Sequence, residues 1–205
     1  MGTALNVSCI LLAGGKSSRM GVDKALLSIE SECQGEPITL LEYMQRLISD
    51  SGIHDLVVSR SNQLPGPRNA RYPWIDDTLP NRGPLSGIRS CLPHCKHARV
   101  LVLPVDMPDI TVPQLRQLAR APTPGFFLQS ALPCILENDA TLMKTLSELL
   151  DATERGASVR ALLHALHGKA LATPEETMDL PNLNTPSQWD AFMQRSRGRL
   201  PYEST

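Results

Sequence analysis

The chain has 205 residues, with 20 Lys plus Arg against 21 Asp plus Glu and a formal net charge of −1 at pH 7. That length suits one α/β domain with a full core, and the charge balance excludes a broad basic surface for nucleic acid while leaving room for a small anionic ligand held by local donors. The five cysteines are an odd number in a chain too large to need staples, so they read as free thiols; with no long apolar run and no leader-like segment, they point to a cytoplasmic protein away from the membrane.

Val7–Ala13 is a nearly continuous apolar run, the pattern of a strand covered on both faces of a parallel sheet. A polar loop follows through Lys16–Arg19, and a short polar insertion ends at Gly35–Pro37. Thr39-Leu40-Leu41-Glu42 has capping-box spacing, and Leu40, Met44, Leu47 and Ile48 form a helical stripe that Gly52 stops. Leu56–Val58 is the next short strand, Arg60–Arg71 a loop rich in Pro and Gly, and Trp74-Ile75 a short strand delivering Asp76 and Asp77 to its carboxyl edge. The Gly83–Gly87 segment turns into a helix reaching about Leu92. Val100–Leu103 is a second buried strand, leading to Asp106. Thr111-Val112-Pro113-Gln114 caps the helix behind it, with proline where no internal hydrogen bond is lost.

The second half is less regular. Phe126–Leu128 and Cys134–Leu136 read as strands, Leu142–Leu150 and Val159–Leu166 as helices. Thr185-Pro186-Ser187-Gln188 opens a last helix carrying Trp189, Phe192 and Met193. The alternation predicts a single-domain, Rossmann-like three-layer α/β fold with an open, mainly parallel sheet whose strand ends face one crevice. That domain spans 1–196, with 197–205 a flexible tail.

The strongest local signal runs from Leu12 to Lys24: Leu-Ala-Gly-Gly-Lys-Ser-Ser-Arg-Met-Gly-Val-Asp-Lys. Gly14 and Gly15, directly after a buried strand, let the backbone approach an anion with no β-carbon in the way. Arg19 offers a fork and Lys24 a flexible point charge to a triphosphate; Lys16 is a weaker candidate. The spacing differs from the common P-loop and dinucleotide fingerprints. Asp106, at the end of a buried strand, is placed to hold Mg²⁺, which takes one or two carboxylates together with phosphate oxygens and water.

This stretch resembles the signature of the molybdenum cofactor guanylyltransferase family: Leu-Ala-Gly-Gly, three variable residues, Arg-Met-Gly, one variable residue, Asp-Lys. The blocks Asp76–Asp77, Gly83-Pro84-Leu85-Ser86-Gly87, Asp106-Met107-Pro108 and Asn182-Leu183-Asn184-Thr185-Pro186 follow in the family's order. The resemblance implies a sugar-nucleotide-transferase type of fold and transfer of GMP from GTP to the terminal phosphate of molybdopterin or the molybdenum cofactor, with Mg²⁺ and release of pyrophosphate. It implies transient contact with cofactor-biosynthesis proteins or molybdoenzymes. It places Leu12, Ala13, Gly14 and Gly15 by the nucleotide, Arg19 and Lys24 by its phosphates, and Asp106 on magnesium. Asp77 with Gly83, Pro84, Leu85 and Gly87 would form the nucleotide-side wall, Asn62 a guanine-side contact, and Asn182, Asn184 and Thr185 the pterin side.

The paired glycine favours a guanylyl enzyme, since cytidylyl relatives carry Ala-Ala-Gly at that place. The alternatives are a CTP-dependent molybdopterin cytidylyltransferase, another sugar-phosphate nucleotidyltransferase, and, in a different class, a non-catalytic nucleotide sensor. Two acceptor-side features depart from the family: Leu132-Pro133 stands where His-Pro is usual, and a basic pair is reduced to Arg160 after Ala157 and Ser158. Leucine can neither donate that hydrogen bond nor carry charge. Cys91, His94, Cys95 and His97 invite a zinc reading, but a second compact ligand pair is missing and ordinary thiols are expected. His54 and His164 read as solvent-facing, and Cys9 as core.

Overall fold

The computed structural model describes residues 4–14, 22–29, 37–61, 63–66, 72–152, 157–172 and 182–196. The expected tail after 196 lies outside these. The predicted regular elements are present: β1 (Ser8–Leu12), α1 (Leu40–Asp50), β4 (Asp55–Ser59), β5 (Trp74–Ile75), α2 (Pro84–Cys91), β6 (Arg99–Pro104), α3 (Val112–Arg120), β7 (Gly125–Phe127), β8 (Cys134–Glu137), α4 (Ala140–Asp151), α5 (Val159–Ala165) and α6 (Pro186–Ser196). Three strands were not anticipated. Ser28–Ile29 (β2) and Ile38–Thr39 (β3) pair antiparallel in a separate ribbon, and Lys169–Leu171 is β9.

Local chemistry accounts for the helix starts. Thr39 and Glu42 satisfy each other's backbone N–H groups before α1, and Thr111 and Gln114 do the same before α3. Asp139 and Ser158 accept from the first turns of α4 and α5.

The seven strands of the main sheet run in the order β5-β4-β1-β6-β8-β7-β9. The block β5-β4-β1-β6 is parallel throughout, as expected. Beyond it the sheet is mixed, because β8 lies antiparallel to both β6 and β7. The reason is the connection: β7 and β8 are consecutive strands with no helix between them, and a short link returns the chain antiparallel. The edge strand β9 is parallel to β7 and mostly exposed, so no apolar pattern announces it.

Two apolar layers sandwich the sheet. Cys9 and Leu11 of β1, Leu56 and Val58 of β4, and Leu101 and Leu103 of β6 point to one layer, filled by Leu40, Met44, Ile48, Leu115, Leu118 and Phe192 from α1, α3 and α6. Ile10, Val57, Val100 and Val102 point to the other, filled by Leu85, Ile88, Leu142, Leu146 and Leu162 from α2, α4 and α5. This period of two on strands buried on both sides is what makes β1 and β6 nearly continuous apolar runs. Each such fully buried aliphatic side chain stabilises by about 1.5–3 kcal/mol. Among the described residues no helix is long and apolar enough to cross a membrane.

Candidate active site

The site grows from the carboxyl ends of the three central parallel strands. Leu12, the last residue of β1, stands level with Ser59 of β4 on one side and Pro104 of β6 on the other. The Ala13 N–H donates to the Ser59 carbonyl at 3.0 Å, and the Val105 N–H donates to the Leu12 carbonyl at 3.0 Å. The chain thus leaves β1 with its neighbours' ends on both flanks. A β-carbon on Gly14 would sit 3.3 Å from the Ser59 carbonyl oxygen, closer than side chains ordinarily approach backbone. Gly15 and Arg19 lie outside the described residues, as does Asn62.

The Asp23 carboxylate accepts from the Ala25 N–H at 3.1 Å and starts a short 3-10 turn over Lys24–Leu26. Lys24 Nζ donates to Asp106 Oδ2 at 2.9 Å and to Asn184 Oδ1 at 2.7 Å. Asp106 follows β6, and its carbonyl accepts from the Leu183 N–H at 2.8 Å. Asn184 is held in turn: Gln188 Oε1 accepts from the N–H groups of Asn184 and Thr185 at 2.8 and 3.0 Å. Three sequence blocks that share no local contact therefore meet at one ammonium group. The Thr185 hydroxyl is engaged at the start of α6, with Gln188 and Ser187. Asn182 is half-buried just before Leu183.

On the other flank, the Ser59 hydroxyl donates to Asp77 Oδ1 at 3.2 Å. Gly87, in the first turns of α2, packs against this pair: a β-carbon there would fall 2.4 Å from Ser59 Oγ and 3.2 Å from Asp77 Oδ1. Burial pushes the Asp77 carboxyl above its ordinary range; the Ser59 hydrogen bond opposes the shift and neighbouring Asp76 adds to it. Gly83 takes φ 75° before Pro84 opens α2, a backbone state that suits glycine, and the Ser86 hydroxyl ties back to the Leu79 carbonyl at 2.8 Å. Leu85 is fully buried, its side chain packed in the core layer with Ile88 rather than lining an open wall. The N-terminus of α2, with its positive dipole end, opens beside Asp77.

Two residues here were not singled out from the sequence. Ser59 closes a strand whose apolar pattern gives it no distinction. Arg60 falls in a stretch that reads as solvated loop, yet its side chain is wholly buried against Ala13 and Asp23. The acceptor-side departures lie elsewhere: Leu132 is in the β7–β8 connection, and Arg160 is exposed on α5. Cys9, Cys91, Cys95 and Cys134 are free thiols, with the Cys95 pKa pushed up to about 12 chiefly by burial. Burial raises the other three as well, which makes them poor nucleophiles and metal ligands.

The sequence profile of the MobA-like NTP transferase domain matches residues 9–170. Over 192 residues the chain is 36% identical to the molybdenum cofactor guanylyltransferase of Xanthomonas euvesicatoria pv. vesicatoria (strain 85-10), covering 91% of this chain and 94% of that protein. It is 34% identical over 193 residues to the molybdenum cofactor guanylyltransferase of Pseudomonas fluorescens (strain SBW25), covering 89% and 91%. Among solved structures, the fold is similar to that of molybdopterin-guanine dinucleotide biosynthesis protein A from Archaeoglobus fulgidus, with a TM-score of 0.68 at 17% identity over 93% of this chain and 99% of that one.

Proposed function

The chain belongs to the MobA-like NTP transferase family, and we propose that this nucleotidyltransferase moves GMP from GTP to the terminal phosphate of molybdopterin or the molybdenum cofactor, releasing pyrophosphate. The observation that carries the proposal is the meeting of Lys24, Asp106 and Asn184 beside the exit of β1. The guanine and the acceptor are taken from the names of the relatives that cover nearly the whole chain.

In the reaction an oxygen of the acceptor phosphate attacks the α-phosphorus of GTP. A new phosphorus–oxygen bond forms as the bond to the bridging oxygen of the leaving pyrophosphate breaks. No protein nucleophile is needed, so the chain's part is to position the groups in line and to offset charge. Gly14 lets the chain leave β1 close against the Ser59 carbonyl, which starts the loop read as the phosphate site at the strand end. Lys24, carried on a turn capped by Asp23, supplies positive charge at the same level. Asp77 and the start of α2 form the wall opposite, where a carboxylate can accept from the N–H groups of a guanine edge.

Asp106 and Asn184 are oxygen donors at a partly exposed strand end, a donor set that suits a hard divalent cation completed by phosphate oxygens and water. Mg²⁺ held there would supply charge neutralisation for the triphosphate. The free thiols suit a reducing compartment, and the reaction is assigned to the cytoplasm, with transient contacts to cofactor-biosynthesis proteins or molybdoenzymes.

The test is pyrophosphate release by the purified protein with molybdopterin, with and without bound molybdenum, against GTP, CTP, ATP and UTP. Release with GTP well above the others is expected. A CTP preference would overturn the guanylyl assignment and leave nucleotidyl transfer standing. Tight GTP binding without turnover on either acceptor would overturn the transferase reading in favour of a sensor.

A further inference from the structure

Arg60 follows directly on β4, and its side chain is shut off from solvent. Nη1 donates to the Ala13 carbonyl at 2.8 Å, Nη1 and Nη2 reach the two carboxylate oxygens of Asp23, and Nη2 donates to the Pro65 carbonyl at 2.8 Å. The guanidinium lies 5.1 Å from the centre of the Trp74 ring. Ala13 is where the chain leaves β1 for the glycine loop. Asp23 is where that loop ends, and its carboxylate also caps the turn carrying Lys24. A single side chain thus ties the first and last residues of the loop to each other.

Stability alone is a poor reason for this arrangement. A buried guanidinium loses its hydration, and the Nε of Arg60 has no hydrogen-bond partner among the described residues. Well-packed apolar side chains in place of Arg60 and Asp23 together would fill the space beside Trp74 without that loss. What only a planar fork supplies is direction: it holds a carbonyl and a carboxylate at a set separation and angle.

We propose that Arg60 is a positioning residue for nucleotidyl transfer, setting the span of the glycine loop and thereby the aim of Lys24 at the triphosphate. The proposal rests on the reading of this loop as the triphosphate site. Arg60→Met removes the fork but keeps bulk against Trp74; Arg60→Lys keeps the charge beside Asp23 but cannot bridge Ala13 and both carboxylate oxygens. For each, kcat and KM for GTP are measured beside the thermal midpoint and GTP affinity without acceptor.

The expected result is a folded Arg60→Lys protein with a midpoint near wild type, a KM for GTP raised about tenfold and a lowered kcat, as a misplaced charge gives. Arg60→Met, which leaves Asp23 and the Ala13 and Pro65 carbonyls without this donor, should melt lower and lose more activity per folded molecule. Wild-type kinetics in either folded variant overturns the proposal, as does a loss of activity that follows only the loss of folded protein. If Arg60→Met does not fold, Arg60→Lys decides alone. The wild-type control separates the two claims. If it works with another nucleotide, the guanylyl reading fails and Arg60 is judged on that nucleotide by the same comparison. If it binds no nucleoside triphosphate at all, the loop reading falls and this proposal with it.

Discussion

The ammonium of Lys24 and the carboxylate of Asp106, 82 positions apart in the chain, meet at 2.9 Å, with their side chains 13% and 17% exposed. An ion pair so withdrawn from water is stronger than a surface pair, and losing either member leaves the other's charge less well offset. A magnesium triphosphate would offer each a new partner, phosphate for Lys24 and the cation for Asp106. Binding would then exchange one set of contacts for another, with both side chains already held in place beforehand.

Replacing Lys24 with Ala should cut turnover with the fold retained, because the side chain belongs to neither core layer, though the midpoint should fall modestly as Asp106 loses its ion-pair partner. Loss of one aimed charge costs about 3 kcal/mol of transition-state stabilisation, roughly two orders of magnitude in kcat/KM. Steady-state kinetics beside a thermal melt checks it. Near-wild-type turnover of the folded variant would remove Lys24 from the phosphate site.

Asp106→Asn separates a metal role from a turn-forming one. Asparagine keeps the size and the backbone carbonyl that accepts from Leu183, but it lacks the negative charge proposed to hold Mg²⁺. A folded protein with severely reduced turnover and weak rescue by added Mg²⁺ is expected, with nucleotide binding in the absence of metal less affected. Pyrophosphate release across a Mg²⁺ titration reads this directly. A variant indistinguishable from wild type at limiting Mg²⁺ would move the search to Asp76 and Asp77.

Gly87→Ala tests the opposite wall. In an ordinary helix interior the change stabilises by about 1 kcal/mol. Here the new β-carbon would press on Ser59 Oγ at 2.4 Å, so the hydroxyl must turn away and give up its bond to Asp77. The expected outcome is weaker GTP binding by calorimetry and no gain in thermal midpoint. A more stable variant with unchanged affinity would show that the Ser59–Asp77 contact is dispensable.

Asp77 also makes a pH prediction. Its carboxyl is raised from the ordinary 3.8 by burial, so the folded state holds the proton more tightly than the unfolded chain. The stability this adds is full below 3.8 and is lost as pH rises through the folded value. Asp77→Asn, which does not titrate, should therefore melt at least as high as wild type at neutral pH, and the advantage should fade in acid. The variant should also lose its preference for GTP over ATP and CTP. Melting curves from pH 3 to 8 and calorimetry with three nucleotides test both halves. A variant less stable than wild type at neutral pH, by an amount that acid does not change, contradicts the burial argument.

Much of the architecture was legible because it is written in short-range patterns. The nearly continuous apolar run of β1 and the stripe Leu40, Met44, Leu47, Ile48 with its Thr39–Glu42 box each need only a few consecutive residues to state a period and a start. The glycine pair after a buried strand, and an aspartate after another, likewise need only neighbouring residues to be read as candidates.

What only the tertiary structure decided are relations across the chain. The orientation of β8 depends on how the chain returns from β7, and β9 is an edge strand with no apolar face to declare it. The convergence of Lys24, Asp106 and Asn184 spans most of the sequence, and Asn184 reaches it because α6 docks Phe192 against Tyr43 and buries Leu183. Arg60 looked like loop because composition reports the average solvation of a segment, whereas the burial of one side chain depends on what packs over it: Asp23 and Trp74 reach Arg60 through folding, and no local period records their approach.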